Sequence, residues 1–143
     1  MTNDLTADGP VQAQIAEEFS DRLDMLEESG QVSKLARRLT EMALADLATD
    51  LGVRFTEDDS AQFVTHLAIA LTRINRGDPA VEISAVTEEE IADRVREREA
   101  VSRVMRDCAP VLERAVPEPE ISYMTLHLCG IVDVQAERTG QDG

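Results

Sequence analysis

Apolar residues recur about every 3.6 positions along almost the whole chain, and this period is the strongest constraint on the fold. Near the start, for example, one apolar stripe consists of Val11, Ile15, Phe19, Leu23 and Leu26. Alternation with a period of two is absent, and so are clusters of β-branched or aromatic residues between turn signals. The sequence therefore predicts an all-α fold.

Capping residues and glycines divide this pattern into about five helices, because serine and threonine cap helix starts and glycine ends helices. The helices are expected at residues 10–30, 33–52 and 56–77, from 87 to about 110, and from 119 onward. Residues 78–86 contain a proline and no helical period, which predicts a connection. Pro110 is expected to kink or end the fourth helix.

The length of 143 residues fits one domain with one core. We therefore expect a compact helical bundle over residues 10–137, with a disordered tail at 1–9 and a frayed tail at 138–143. Stripes this apolar also suit a face buried between subunits, so the bundle is expected to form a homodimer.

The chain is strongly acidic, with 29 acidic against 14 basic residues and a formal net charge of -15. Such a balance repels a nucleic-acid backbone, so no direct nucleic-acid partner is expected. The N-terminal stretch MTNDLTADGP lacks the features of a secretory signal, and no apolar run approaches the roughly 18 residues of a membrane span. We expect a cytoplasmic protein without a membrane partner, in which Cys108 and Cys129 are reduced core thiols.

Motifs of independent catalysis are missing. The sequence has no Gly-x-Ser-x-Gly elbow and no glycine-rich phosphate loop, and neither cysteine has a motif that couples it to a histidine. Helical metal pairs normally lie three or four residues apart, whereas His127 lies seven residues from Glu120. No enzyme, cofactor or metal site is therefore expected.

The two histidines of the sequence each have polar company at helical spacing. His66 and Arg73, seven residues apart, return to nearly the same side of one helix, and Glu120, Tyr123 and His127 share a side of another. A histidine on an apolar helix face is most often a packed residue with hydrogen-bonded nitrogens. From spacing alone, packing and chemistry both remain open.

Two stretches that contain these histidines resemble a known pair of signatures. The stretch "FVTHLAIALTRINRG", residues 63–77, resembles the first signature of the phosphotransferase-system regulation domain (PRD) family, and "EPEISYMTLHLCG", residues 118–130, resembles the second. Both histidines of the sequence fall on the family's two histidine positions. The resemblance extends over about residues 20–135.

The resemblance implies a compact all-α domain that commonly dimerises and accepts phosphoryl groups on histidine. The implied donors are HPr or an enzyme II B component of the sugar phosphotransferase system. His66 and His127 are the implied phosphoacceptors, with Arg73 and Glu120 as supporting residues, and Tyr123 joins them by its helical spacing.

The chain also departs from the family pattern. Thr65 stands where members often carry an acidic residue before the first histidine, and the sequence has neither a second copy of the domain nor a nucleic-acid-binding module. We therefore expect the signal to pass to an unknown downstream protein, transcription-related or other. The alternative is a helical dimerisation or partner-binding protein that keeps the fold and uses its histidines only for packing.

Overall fold

The protein is all-α, as the apolar period predicts. The computed structural model describes the backbone of residues 3–79 and 85–142, and side chains over 9–79 and 88–138. Seven helices and no strand occur in these residues. The helices are α1 (Asn3–Glu18), α2 (Ser20–Glu28), α3 (Lys34–Leu51), α4 (Glu57–Arg76), α5 (Ala85–Glu90), α6 (Val95–Leu112) and α7 (Glu118–Asp142).

The first apolar stripe forms two helices instead of the single one expected over 10–30. Phe19 separates α1 from α2, with φ -107° and ψ 13°. Its N–H still donates to the carbonyl of Ile15 at 3.1 Å, and its own carbonyl accepts from the N–H of Leu23 at 2.9 Å. The helix is therefore interrupted at Phe19 while these hydrogen bonds are kept. The apolar stripe continues across the interruption, so the sequence carries no signal of it.

The caps predicted for α3 and α4 are confirmed. Ser33 accepts a hydrogen bond from the Ala36 N–H and Thr56 accepts one from the Asp59 N–H. Gly52 and Gly77 end the two helices at φ 69° and 82°, a region that glycine enters without steric cost.

The region from 78 to 119 differs most from the prediction. Thr87 lies inside the short helix α5 and does not open a long helix, because a turn follows α5 and α6 begins only at Val95. Residues 80–84 of the expected connection lie outside the described residues. Pro110 lies inside α6, which continues to Leu112. Pro110 and Arg106, the residue four positions earlier, are both exposed in the last turns of the helix, where a missing backbone hydrogen bond costs less than in a buried segment.

Helix ends at both termini extend into the expected tails. Helix α1 begins at Asn3, within residues 1–9, and α7 continues to Asp142, past residue 138. The domain bounds of 10–137 stay a prediction. None of the described helices is both long and apolar enough to cross a membrane.

The core lies where α3, α4, α6 and α7 meet. Helix α3 packs against α1, α4 and α6, while α7 packs against α4 and α6. Fully buried side chains from these helices include Leu44, Leu47, Leu67, Leu71, Met105 and Leu128. Cys108 and Cys129 are buried free thiols, and burial raises the pKa of each to about 11. They are therefore neutral core residues at neutral pH, as expected.

Thr72 connects two helices through one buried hydroxyl. It is 1% exposed, donates to the Ala68 carbonyl of its own helix at 2.9 Å, and accepts from the Ser33 N–H at 3.2 Å. Ser33 is the residue that caps α3. The hydroxyl therefore holds the start of α3 against the second half of α4.

We predict that Thr72→Val lowers the free energy of unfolding by roughly 1 to 2 kcal/mol, because it leaves the Ser33 N–H without its partner. Thr40→Val is the matched control, since the buried Thr40 hydroxyl donates only to the Ala36 carbonyl within its own helix. Its loss is expected to be smaller. Urea denaturation followed by far-UV circular dichroism measures both, and equal losses would contradict the bridging role of Thr72.

Candidate functional site

The contact between α4 and α7 brings together four of the side chains singled out in the sequence. His66 lies in the middle of α4, whereas Glu120, Tyr123 and His127 follow one another along the first turns of α7. The two helices pack directly against each other. Residues from the two signatures, 61 positions apart at the histidines, therefore form one site.

Three aromatic rings meet in this site: those of His66, Tyr123 and His127, which we call the ring cluster. The Tyr123 ring stacks on His66 with centroids 4.1 Å apart and lies 4.6 Å from His127. The two imidazole centroids are 5.8 Å apart, with the rings inclined by 23°. Tyr123 thus contacts both histidines and limits how each imidazole is oriented.

Glu120 faces His66 and not the histidine of its own helix. Its Oε1 lies 3.6 Å from Nε2 of His66, slightly longer than a hydrogen bond, and Glu120 is only 1% exposed. It lies in the first turn of α7, where the positive end of the helix dipole favours a buried carboxylate. Spacing along α7 places Glu120 on one side with His127, but it cannot show that α4 presents His66 to the carboxylate.

His127 opens onto a groove between α4 and α7, which we call the α4–α7 groove. Its volume is about 360 Å³, and its lining includes Asp58, Asp59, Gln62, His127, Ile131 and Val134. Burial, and secondarily the neighbouring His66, lowers the pKa of His127 below its ordinary value. The imidazole is therefore neutral, and hence nucleophilic, at neutral pH.

Arg73 does not join the ring cluster in the described contacts. Its Nη2 donates to the Pro79 carbonyl at 3.1 Å, on the connection that follows α4. Seven residues correspond to about 10 Å along a helix axis, so the shared side of α4 leaves Arg73 two turns from His66. Its expected role as a cation for phosphoryl oxygens stays a prediction.

Arg22 contacts the residue before His66 and was not singled out from the sequence. Its Nη1 donates to the Thr65 hydroxyl at 3.1 Å, and its Nε and Nη2 donate to the Glu57 carboxylate at 3.0 and 2.9 Å. Thr65 therefore faces α2, away from the partner of His66. The carboxylate next to His66 comes instead from Glu120, so an acidic residue at position 65 is not needed to supply one.

Gln62, which lines the groove, was also not predicted from the sequence, although its spacing from His66 could have indicated it. It lies four residues before His66 on α4, a spacing that places it on the same side of the helix. The contact between Arg22 and Thr65 joins residues 43 positions apart and has no such signal in the sequence.

Over the described residues, no three histidine, cysteine or carboxylate side chains gather as metal ligands would.

The fold and the site together define a class, an all-α domain in which two histidines from different helices meet beside a carboxylate and an open groove. The family model described as PRD domain matches residues 41–130, well over half of the chain and both histidines. The chain belongs to the PRD family, whose domains are phosphorylation-regulated modules of regulators linked to the phosphotransferase system. No curated protein and no solved structure matches the chain.

The lowered pKa of His127 predicts a pH-dependent stability. Because its pKa is lower in the folded than in the unfolded protein, the unfolded state binds more protons below about pH 6.5. The contribution of His127 to the free energy of unfolding is complete above the pKa that His127 has in the unfolded protein. It is lost as the pH falls through 6.5 toward the pKa that His127 has in the folded protein. We therefore expect His127→Asn to flatten the pH dependence of the free energy of unfolding in this window.

Urea titrations of wild type and His127→Asn at several pH values between about 5 and 8 measure the difference. The comparison cancels the titration of the many carboxyl groups that both proteins share. Parallel pH profiles for the two proteins would show that His127 titrates alike in the folded and unfolded states.

Proposed function

We propose that this PRD domain accepts phosphoryl groups on histidine from the sugar phosphotransferase system, with HPr or an enzyme II B component as the donor. It acts as a regulatory acceptor without turnover of its own and passes its state to a separate downstream protein. The observation that carries the proposal is that the two histidines of the sequence meet, 5.8 Å apart, beside an open groove. Membership of the PRD family supports the same reading.

The chemistry needs a neutral imidazole, a fixed orientation and access for the donor. Burial favours the neutral form of His127, and contact with Tyr123 orients its ring. Holding the nucleophile in one orientation removes much of the entropy cost of the transfer. The α4–α7 groove supplies the access.

The output of such a modification is electrostatic. A phosphoryl group brings almost two negative charges to a groove whose lining includes the acidic residues Asp58 and Asp59. Like charges at this contact disfavour the present packing of α4 on α7, or of this surface on another protein. The domain thus responds by a shift between two packing states, because phosphorylation changes their relative free energies.

The alternative function is a helical dimerisation or partner-binding domain that is not phosphorylated. Leu35 and Met42 on α3 favour it, because they are 36% and 45% exposed and lie seven residues apart on one side of the helix. A homodimer through this surface is compatible with either function. Sedimentation of wild type against Met42→Glu tests the surface independently of phosphorylation.

We predict that incubation with phosphoenolpyruvate, enzyme I and HPr, with an enzyme II B component where needed, adds a phosphoryl group that is lost in acid. Intact mass spectrometry at neutral and acidic pH measures the adduct. Omission of enzyme I and the double variant His66→Ala, His127→Ala are the controls, and both are expected to show no adduct. Absence of an adduct with every donor combination would favour the dimerisation alternative.

A further inference from the structure

We propose that the two histidines form an acceptor that holds one phosphoryl group, taken by His127, while His66 stays shielded. The inference rests on the proposed function and narrows it, because the PRD pattern by itself makes both histidines acceptors. It is carried by the different surroundings of the two imidazoles. Nε2 of His66 is buried against α7, whereas His127 lines the α4–α7 groove.

The outer nitrogen of His66 is not accessible to a donor. Its Nε2 is fully buried, although the side chain as a whole is 21% exposed. Phosphorus has to approach a nitrogen lone pair in the plane of the ring, and Oε1 of Glu120 lies 3.6 Å from Nε2. The Tyr123 ring covers one face of the same imidazole. This shielding applies to Nε2, the nitrogen that faces Glu120.

The Glu120 side chain also occupies the space that a phosphoryl group on Nε2 of His66 would need. Glu120 is 1% exposed, and its Oε1 lies 3.6 Å from that nitrogen. Phosphorylation at Nε2 of His66 therefore requires α7 to move away from α4 first.

At His127 the surroundings of the ring nitrogens differ. The described residues give neither of its nitrogens a hydrogen bond or an ion pair, and its ring lines the groove. In the transfer, the lone pair of a neutral His127 nitrogen forms a new N–P bond as the N–P bond of the donor phosphohistidine breaks. The electron pair of the broken bond stays on the donor imidazole, and no water is consumed.

The short distance between the imidazoles limits the capacity to one group. With the ring centroids 5.8 Å apart, a second phosphoryl group would place two nearly dianionic groups at one partly buried contact. Phosphorylation of His127 thus further disfavours phosphorylation of His66.

The test uses the full chain, phosphorylated to completion with phosphoenolpyruvate, enzyme I and HPr. Trypsin at neutral pH separates the histidines, because cleavage after arginine places His66 in peptide 55–73 and His127 in peptide 115–138. We expect one phosphoryl group in the intact mass of the wild type, located in peptide 115–138. His66→Asn should keep at least half of the wild-type stoichiometry, and His127→Asn should lose at least tenfold.

Two phosphoryl groups per chain, a label in peptide 55–73, or wild-type labelling of His127→Asn would each overturn the inference and leave the proposed function standing. No adduct with any donor combination would overturn both. Circular dichroism establishes whether each variant is folded. Should His127→Asn fail to fold, the peptide map of the wild type decides the question without it.

Discussion

Helix α4 has to bury its apolar side against several neighbours at once, and the rest of the structure depends on this packing. Leu67 and Leu71 are fully buried, and α4 contacts α3, α6 and α7. Once that side is fixed, His66 must face α7, because the side-chain directions of a helix are set by its rotation about its own axis. The burial that stabilises the fold therefore also determines what His66 meets.

The same packing explains why a carboxylate is tolerated in the interior. A buried carboxyl group such as that of Glu120 is costly unless nearby groups compensate for the lost water. The first turn of α7 offers the positive end of a helix dipole, and α4 offers the His66 imidazole at 3.6 Å. The dipole belongs to α7 itself, whereas the contact with His66 exists only when α7 is docked on α4. The polar contact thus favours one arrangement of the two helices. Apolar stripes alone distinguish less sharply between neighbouring arrangements.

Much of this fold was predictable from local signals, and the failures occurred where the decisive contact is non-local. Ser33, Thr56, Gly52 and Gly77 act within one helix turn, so their roles follow from sequence. The interruption at Phe19 leaves the apolar period unchanged, so it could not be predicted from the sequence pattern. Pro110 lies two residues before the last residue of α6, so the predicted end of this helix is close to the observed one.

The site shows the same division between local and non-local information. Spacing along α7 correctly grouped Tyr123 with His127, and the family signatures brought in His66. The pairing of Glu120 with His66 depends on how α4 and α7 are rotated against each other, which no single helix encodes. Arg73 shares a side of α4 with His66, but it lies two turns away and contacts Pro79.

The charge of the groove bears on how a phosphorylated state would be stabilised. The described residues that line the α4–α7 groove include no lysine or arginine, and Asp59 is already paired with Arg138 at 2.6 Å. The Arg138 guanidinium lowers the pKa of Asp59, so this pair stays ionised and its arginine is occupied. On the proposed function, the described lining therefore offers no unpaired cation to a phosphoryl group on His127, and Arg73 contacts Pro79 instead. A basic surface on a partner would then favour the phosphorylated state.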